Sequence, residues 1–126
     1  MKTKVWLFLV LSYTLTTFGV SSIKNTSFIP DLRIVRFDLV LHFIEYGILA
    51  WLILRYLDTI NQLSPWIRQA TLVVIFCGVV GGLNELWQLH IPGRFPSVVD
   101  GIANVLGAVV VVFLYRLRKC VIHFDQ

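Results

Sequence analysis

The residues able to do chemistry in this sequence fall in three short stretches. The first holds Asp38, His42, Glu45 and Tyr46; the second holds Asn84, Glu85 and Gln88; the third holds Asp100 and Asn104, with Arg94 shortly before it. Spacings of four and seven put Asp38, His42 and Glu45 along one stripe of a helix. Glu85 and Gln88 share a face of a second helix, and Asp100 and Asn104 share a face of a third. An imidazole and carboxylates brought to one place can move protons, so His42, Glu85 and Asp100 are the candidate catalytic groups. Arg94 offers the planar fork that suits a phosphate. Asp38, Glu45, Tyr46, Gln88 and Asn104 complete the candidate substrate-binding set with it.

These polar residues are informative because of what surrounds them. The chain is 57% hydrophobic and only 14% charged, with a mean hydropathy of +0.79. Soluble domains average roughly 45–50% apolar and about 25% charged, so the composition belongs to a membrane protein. Four apolar blocks stand out, at about residues 5–20, 37–57, 70–89 and 98–115. Each approaches the roughly 17–25 residues that a spanning helix needs. The expected fold is all-α: a single domain over residues 1–126, an integral membrane bundle of four transmembrane helices with short loops. The first block follows Met1-Lys2-Thr3-Lys4 and is read as a retained helix, because Phe18-Gly19-Val20-Ser21-Ser22 makes a poor signal-cleavage site.

In that setting all the candidate residues lie in one half of the bilayer. An ionised side chain at the bilayer centre costs roughly 2.5–3.5 kcal/mol on insertion scales, so such groups face the bundle interior or a wet cavity. Each also has a plainer reading. Asp38 can complement a helix N-terminus, Ser97-Val98-Val99-Asp100 matches a capping box, and Arg94 can reach head-group phosphate. Gln88 and Asn104 can be interhelical hydrogen-bond glue. Glu85 and His42, set deeper, are the hardest to explain so. Gly78 and Gly82 form a G-x-x-x-G pair, and Gly47, Gly81, Gly101 and Gly107 add further small positions for close helix packing.

The net charge of +4 does not point to nucleic acid, since the basic residues flank apolar blocks. Lys2, Lys4, Arg55, Arg68, Arg116, Arg118 and Lys119 fall on one side; Lys24, Arg33, Arg36 and Arg94 fall on the other. The positive-inside rule then places both termini in the cytoplasm and the polar cluster in the outer half. Cys77 and Cys120 are read as unpaired thiols. No phosphate-cradling glycine loop, CxxC or HExxH occurs, so no cofactor is expected. One histidine among oxygen donors does not make the usual zinc site, and no metal is expected either.

The ordered set Asp38-x-x-x-His42-Phe43-x-Glu45-Tyr46, Glu85-x-x-Gln88, Pro92-Gly93-Arg94 and Asp100-x-x-Ala103-Asn104-x-x-Gly107 resembles the VanZ-like family of bacterial membrane proteins. The resemblance covers about residues 21–115. It departs at Leu39, where members often carry lysine, and at Phe95-Pro96, where the loop is often rich in glycine or serine. The family is named for a protein linked to teicoplanin resistance. The resemblance implies a multi-pass protein of the bacterial inner (plasma) membrane and cell envelope, without fixing a reaction, so whether the chain is an enzyme stays open. The expected partners are a membrane lipid, with a lipid-linked cell-wall precursor or a glycopeptide as candidates. Two functions follow as expectations. In one, the outward-facing cluster binds or processes an anionic lipid head group or cell-wall precursor and influences glycopeptide susceptibility. In the other, the network is non-catalytic, and is structural or binds a partner protein or lipopeptide.

Overall fold

The computed structural model describes residues 2–22, 37–60, 65–92 and 96–124. Among them are four helices and no strand: α1 (Lys2–Ser21), α2 (Phe37–Ile60), α3 (Trp66–Gln88) and α4 (Val98–Phe124). Each is long and apolar enough to cross a membrane. Polar, aromatic and basic residues at the block ends add to the helices: Asp58 and Thr59 continue α2, Trp66-Ile67-Arg68 opens α3, and the Arg116–Lys119 stretch stays within α4. In a bilayer only closed hydrogen-bonded structure spans the apolar layer, so a helix continues until its groups reach water or head groups.

The core lies along α2, whose Tyr46, Leu49, Ala50 and Leu54 are completely buried. Its largest interface is with α4. There the backbones meet closely, because a Cβ on Gly107 would collide with the main-chain carbonyl of Phe43, and one on Gly47 would press on Val111 at 3.1 Å. Glycine at both positions lets the two helices approach to backbone contact. The outward faces are as apolar as the core: Phe8, Leu15, Ile75 and Phe113 are all exposed. Such surfaces suit lipid rather than water.

The two ends of the bundle differ. At one end, Trp6 packs edge-on against Trp51 at 5.6 Å, and the Arg55 guanidinium lies over Trp6. Trp66 stacks on Tyr115 with Arg116 over it. Asp58 takes hydrogen bonds from the Tyr115 hydroxyl and the Lys119 ammonium, both at 2.5 Å. Aromatic rings with cations over their faces are typical of the membrane–water boundary. The end of α1, the starts of α2 and α4, and the end of α3 make up the opposite end, where the polar residues gather.

Candidate functional site

Three helices deliver the central groups. His42 comes from the second turn of α2, Glu85 from the last turn of α3, and Asp100 from the first turn of α4. One ligand-type atom from each lies within 4.8 Å of the other two. His42 and Glu85 are each 8% exposed, while Asp100 is partly open. The His42 Nε2 atom is 4.0 Å from Asp100 Oδ2. That is too long for a hydrogen bond, although the charges attract when the imidazole is protonated.

Glu85 has a second attachment. Its Oε2 accepts the backbone N–H of Ser97 at 2.8 Å, and Ser97 Oγ accepts the N–H of Asp100 at 3.3 Å. In a capping box both bonds come from the helix's own residues. Here Ser97 supplies one, and the carboxylate of the preceding helix supplies the other. The Asp100 carboxylate, which could have taken the Ser97 N–H, instead faces His42.

Around this triad Gln88 is 2% exposed and Asn104 is completely buried, with Tyr46 equally buried below His42. Several polar atoms here have no hydrogen-bond partner: His42 Nδ1, Glu85 Oε1, Gln88 Nε2 and both side-chain polar atoms of Asn104. Buried polar groups are normally satisfied, so these open valences mark a place that water, an ion or a ligand can fill. Gly81 makes room for Asn104, since a Cβ there would stand 2.9 Å from Asn104 Nδ2.

Not every candidate joins the centre. Asp38 is exposed in the first turn of α2, outside the triad. Glu45 is half-buried and also outside it, and its backbone carbonyl takes the Tyr13 hydroxyl of α1 at 3.2 Å. Arg94 lies outside the described residues. In the other direction, α1 contributes groups that the pattern of acids and amides did not mark. Ser21 accepts the Asn84 amide at 2.8 Å, and Ser22 accepts the Trp87 indole N–H at 2.9 Å. In sequence these serines read as the ragged end of an apolar block, and only the packing of α1 on α3 gives them a role.

A groove leads to the triad from the side. It has a volume of about 580 Å³, lies between α3 and α4, and is lined by Gly82, Glu85, Ser97, Gly101, Val105 and Leu106 among others. Its walls are almost wholly apolar, with Glu85 at the polar end. Gly82 and Gly101 have nothing within 4 Å of where a Cβ would be. The G-x-x-x-G pair expected to bring helices together therefore does not: Gly78 makes only an ordinary contact with Val105, and Gly82 faces the groove. Gly81, one residue away in sequence but turned toward α4, makes the close approach instead.

A family model described as VanZ/LLP1 matches residues 3–119. The chain belongs to the VanZ/LLP1 family. No curated protein and no solved structure matches it. As a VanZ/LLP1 member with four spanning-length helices, it is a membrane protein. The chemistry of its polar end follows from its own residues. A neutral imidazole and two carboxylates can accept protons, hold a cation, or, with protons bound, donate hydrogen bonds to an anion.

Proposed function

We propose that the chain binds the head group of an anionic membrane lipid at the His42–Glu85–Asp100 end, with the lipid tail lying in the groove between α3 and α4. The observation that carries this reading is the groove itself: it is apolar along its length, open on the outer surface of the bundle, and ends at Glu85 and Ser97. A lipid diffusing in the bilayer could enter sideways without its tail leaving an apolar environment. Behind Glu85, the buried Gln88 and Asn104 carry further unsatisfied donors and acceptors. The candidate lipids are phospholipids and lipid-linked cell-wall precursors, and an effect on glycopeptide susceptibility would follow from handling the latter. With both termini cytoplasmic, the site faces outward in a bacterial plasma membrane.

A photoactivatable anionic phospholipid in proteoliposomes tests the proposal. The expected outcome is crosslinking concentrated on Ile102, Val105 and Leu106, falling severalfold when Gly82→Leu and Gly101→Leu fill the groove. Labelling spread evenly over the outer faces of all four helices would count against it.

A second reading has its own support. The Ser97 N–H to Glu85 bond fastens the start of α4 to the end of α3, which is what a structural network would do. Glu85→Gln separates the two, because glutamine can still accept that N–H and cannot ionise. Full lipid labelling by the Glu85→Gln protein would favour the structural role of Glu85.

A further inference from the structure

We infer that His42, Glu85 and Asp100 form a binding site for a divalent transition-metal ion. The donor set is one imidazole nitrogen and two carboxylate oxygens, drawn from three different helices, with all three atoms within 4.8 Å of one another. Neighbouring ligand atoms at about 2.1 Å from one such ion stand about 3.0–3.5 Å apart, so the widest pair of the triad needs to close by about 1.5 Å. The His42–Asp100 pair, at 4.0 Å, stands nearer to that spacing.

Electrostatics argue in the same direction. Two carboxylates converging in a largely buried place repel each other, and one imidazolium offsets only half of their charge. A doubly charged ion offsets both. It would also occupy an atom that now lacks a partner, since Glu85 Oε1 is buried without a hydrogen bond on a residue 8% exposed. A supporting shell is in place. Ser97 holds the other oxygen of Glu85, orienting the carboxylate as second partners of metal ligands do. Mixed nitrogen and oxygen donors suit ions of the manganese-to-zinc series better than magnesium or calcium.

Of the three ligands Glu85 also lines the groove, beside Ser97. The role of the ion toward a lipid rests on the function proposed above: it would supply the positive charge that a phosphate head group needs beside two acids. The sequence alone points away from a metal because only His42, of three histidines, sits among the acids. In the fold Glu85 and Asp100 converge on that histidine while Asp38 and Glu45 stay outside the cluster.

The test uses the full chain purified in a neutral detergent, stripped with chelator and titrated with Zn²⁺ or Mn²⁺. The expected result is close to one ion per chain, a raised unfolding temperature, and at least tenfold weaker binding in His42→Gln and Asp100→Asn, with Asp58→Asn at the opposite end unaffected. Wild-type protein that holds well under a tenth of an equivalent overturns the inference, as do triad variants that bind like wild type. If the variants fail to accumulate, the zinc X-ray absorption spectrum of the wild type decides. One imidazole with oxygen donors supports the site, and an oxygen-only or thiolate shell overturns it. Photolabelling with the phospholipid, repeated with and without chelator, keeps the two proposals separate. Groove labelling without metal binding overturns the ion and retains the lipid site. Metal binding without groove labelling supports the ion and removes the lipid.

Discussion

Glu85 Oε2 and the backbone N–H of Ser97, 12 residues apart, are 2.8 Å from each other and join the end of α3 to the start of α4. The bond places Asp100, in the first turn of α4, within reach of His42 on α2. One carboxylate thus does a task that the Ser97–Asp100 spacing would have allowed Asp100 to do, and Asp100 is left to face the site.

That arrangement predicts different consequences for two substitutions of Glu85. Glu85→Gln keeps an acceptor for the Ser97 N–H and should change stability by under about 1 kcal/mol. Glu85→Ala leaves that amide without its acceptor in a part-buried place and should cost about 1–3 kcal/mol. Thermal unfolding in detergent, followed by helical circular dichroism, measures both. Equal losses would mean that the hydrogen bond is not what holds the junction.

How much of this was readable beforehand differs by level. The four helices were legible because a bilayer demands long apolar runs, and blocks such as Ala70–Leu89 can be little else. His42, Glu85 and Asp100 were legible as expensive residues in the wrong solvent. Which of the acids would meet was not: Asp38 and Glu45 share a stripe with His42, yet helix rotation leaves Asp38 exposed. The small-residue pattern misled in the same way. Gly78-x-x-x-Gly82 carries the familiar spacing, but rotation of α3 presents Gly81 to Asn104 and turns Gly82 to the groove. Rotation about a helix axis is set by the partners, and four helices apolar all round say little about which face each partner takes.

The glycines make the second prediction. Gly107→Ala should be severely destabilising, because its Cβ would collide with the Phe43 main chain, which cannot swing aside as a side chain can. Gly82→Ala and Gly101→Ala should be tolerated, since both face open space, and alanine favours a helix by about 0.8–1.0 kcal/mol over glycine. Accumulation in membranes and the unfolding temperature would show the contrast. A well-folded Gly107→Ala protein would mean that α2 and α4 can separate at little cost.

At the opposite end, Asp58 has two partners of unequal value. The Lys119 side chain is 43% exposed and its ion pair is open to water and salt, so Lys119→Ala should cost no more than about 1 kcal/mol. Tyr115 is 8% exposed and stacks on Trp66 while donating to Asp58. Tyr115→Ala should cost about 3–5 kcal/mol, as truncation of a buried aromatic does. Unfolding of the two variants in low and high salt ranks them, and the Lys119 effect alone should shrink as salt rises.

The remaining prediction concerns which side of the membrane the site occupies. Cys77 is buried and Cys120 half-buried, so both are replaced first to give a silent background. Single cysteines then go to Pro92, exposed just beyond α3 at the polar end, and Arg68, exposed in the first turn of α3 at the aromatic end. The excess of Lys and Arg around the aromatic end predicts that it is cytoplasmic. In intact cells a membrane-impermeant thiol reagent should therefore label Pro92→Cys and leave Arg68→Cys unmodified until the cells are opened. The outcome also bears on the ligand. Labelling of Pro92→Cys leaves the triad facing the lipids and precursors of the outer leaflet. Labelling of Arg68→Cys alone would put the same triad and groove against the cytoplasmic leaflet, so that any lipid held there would be one met before export.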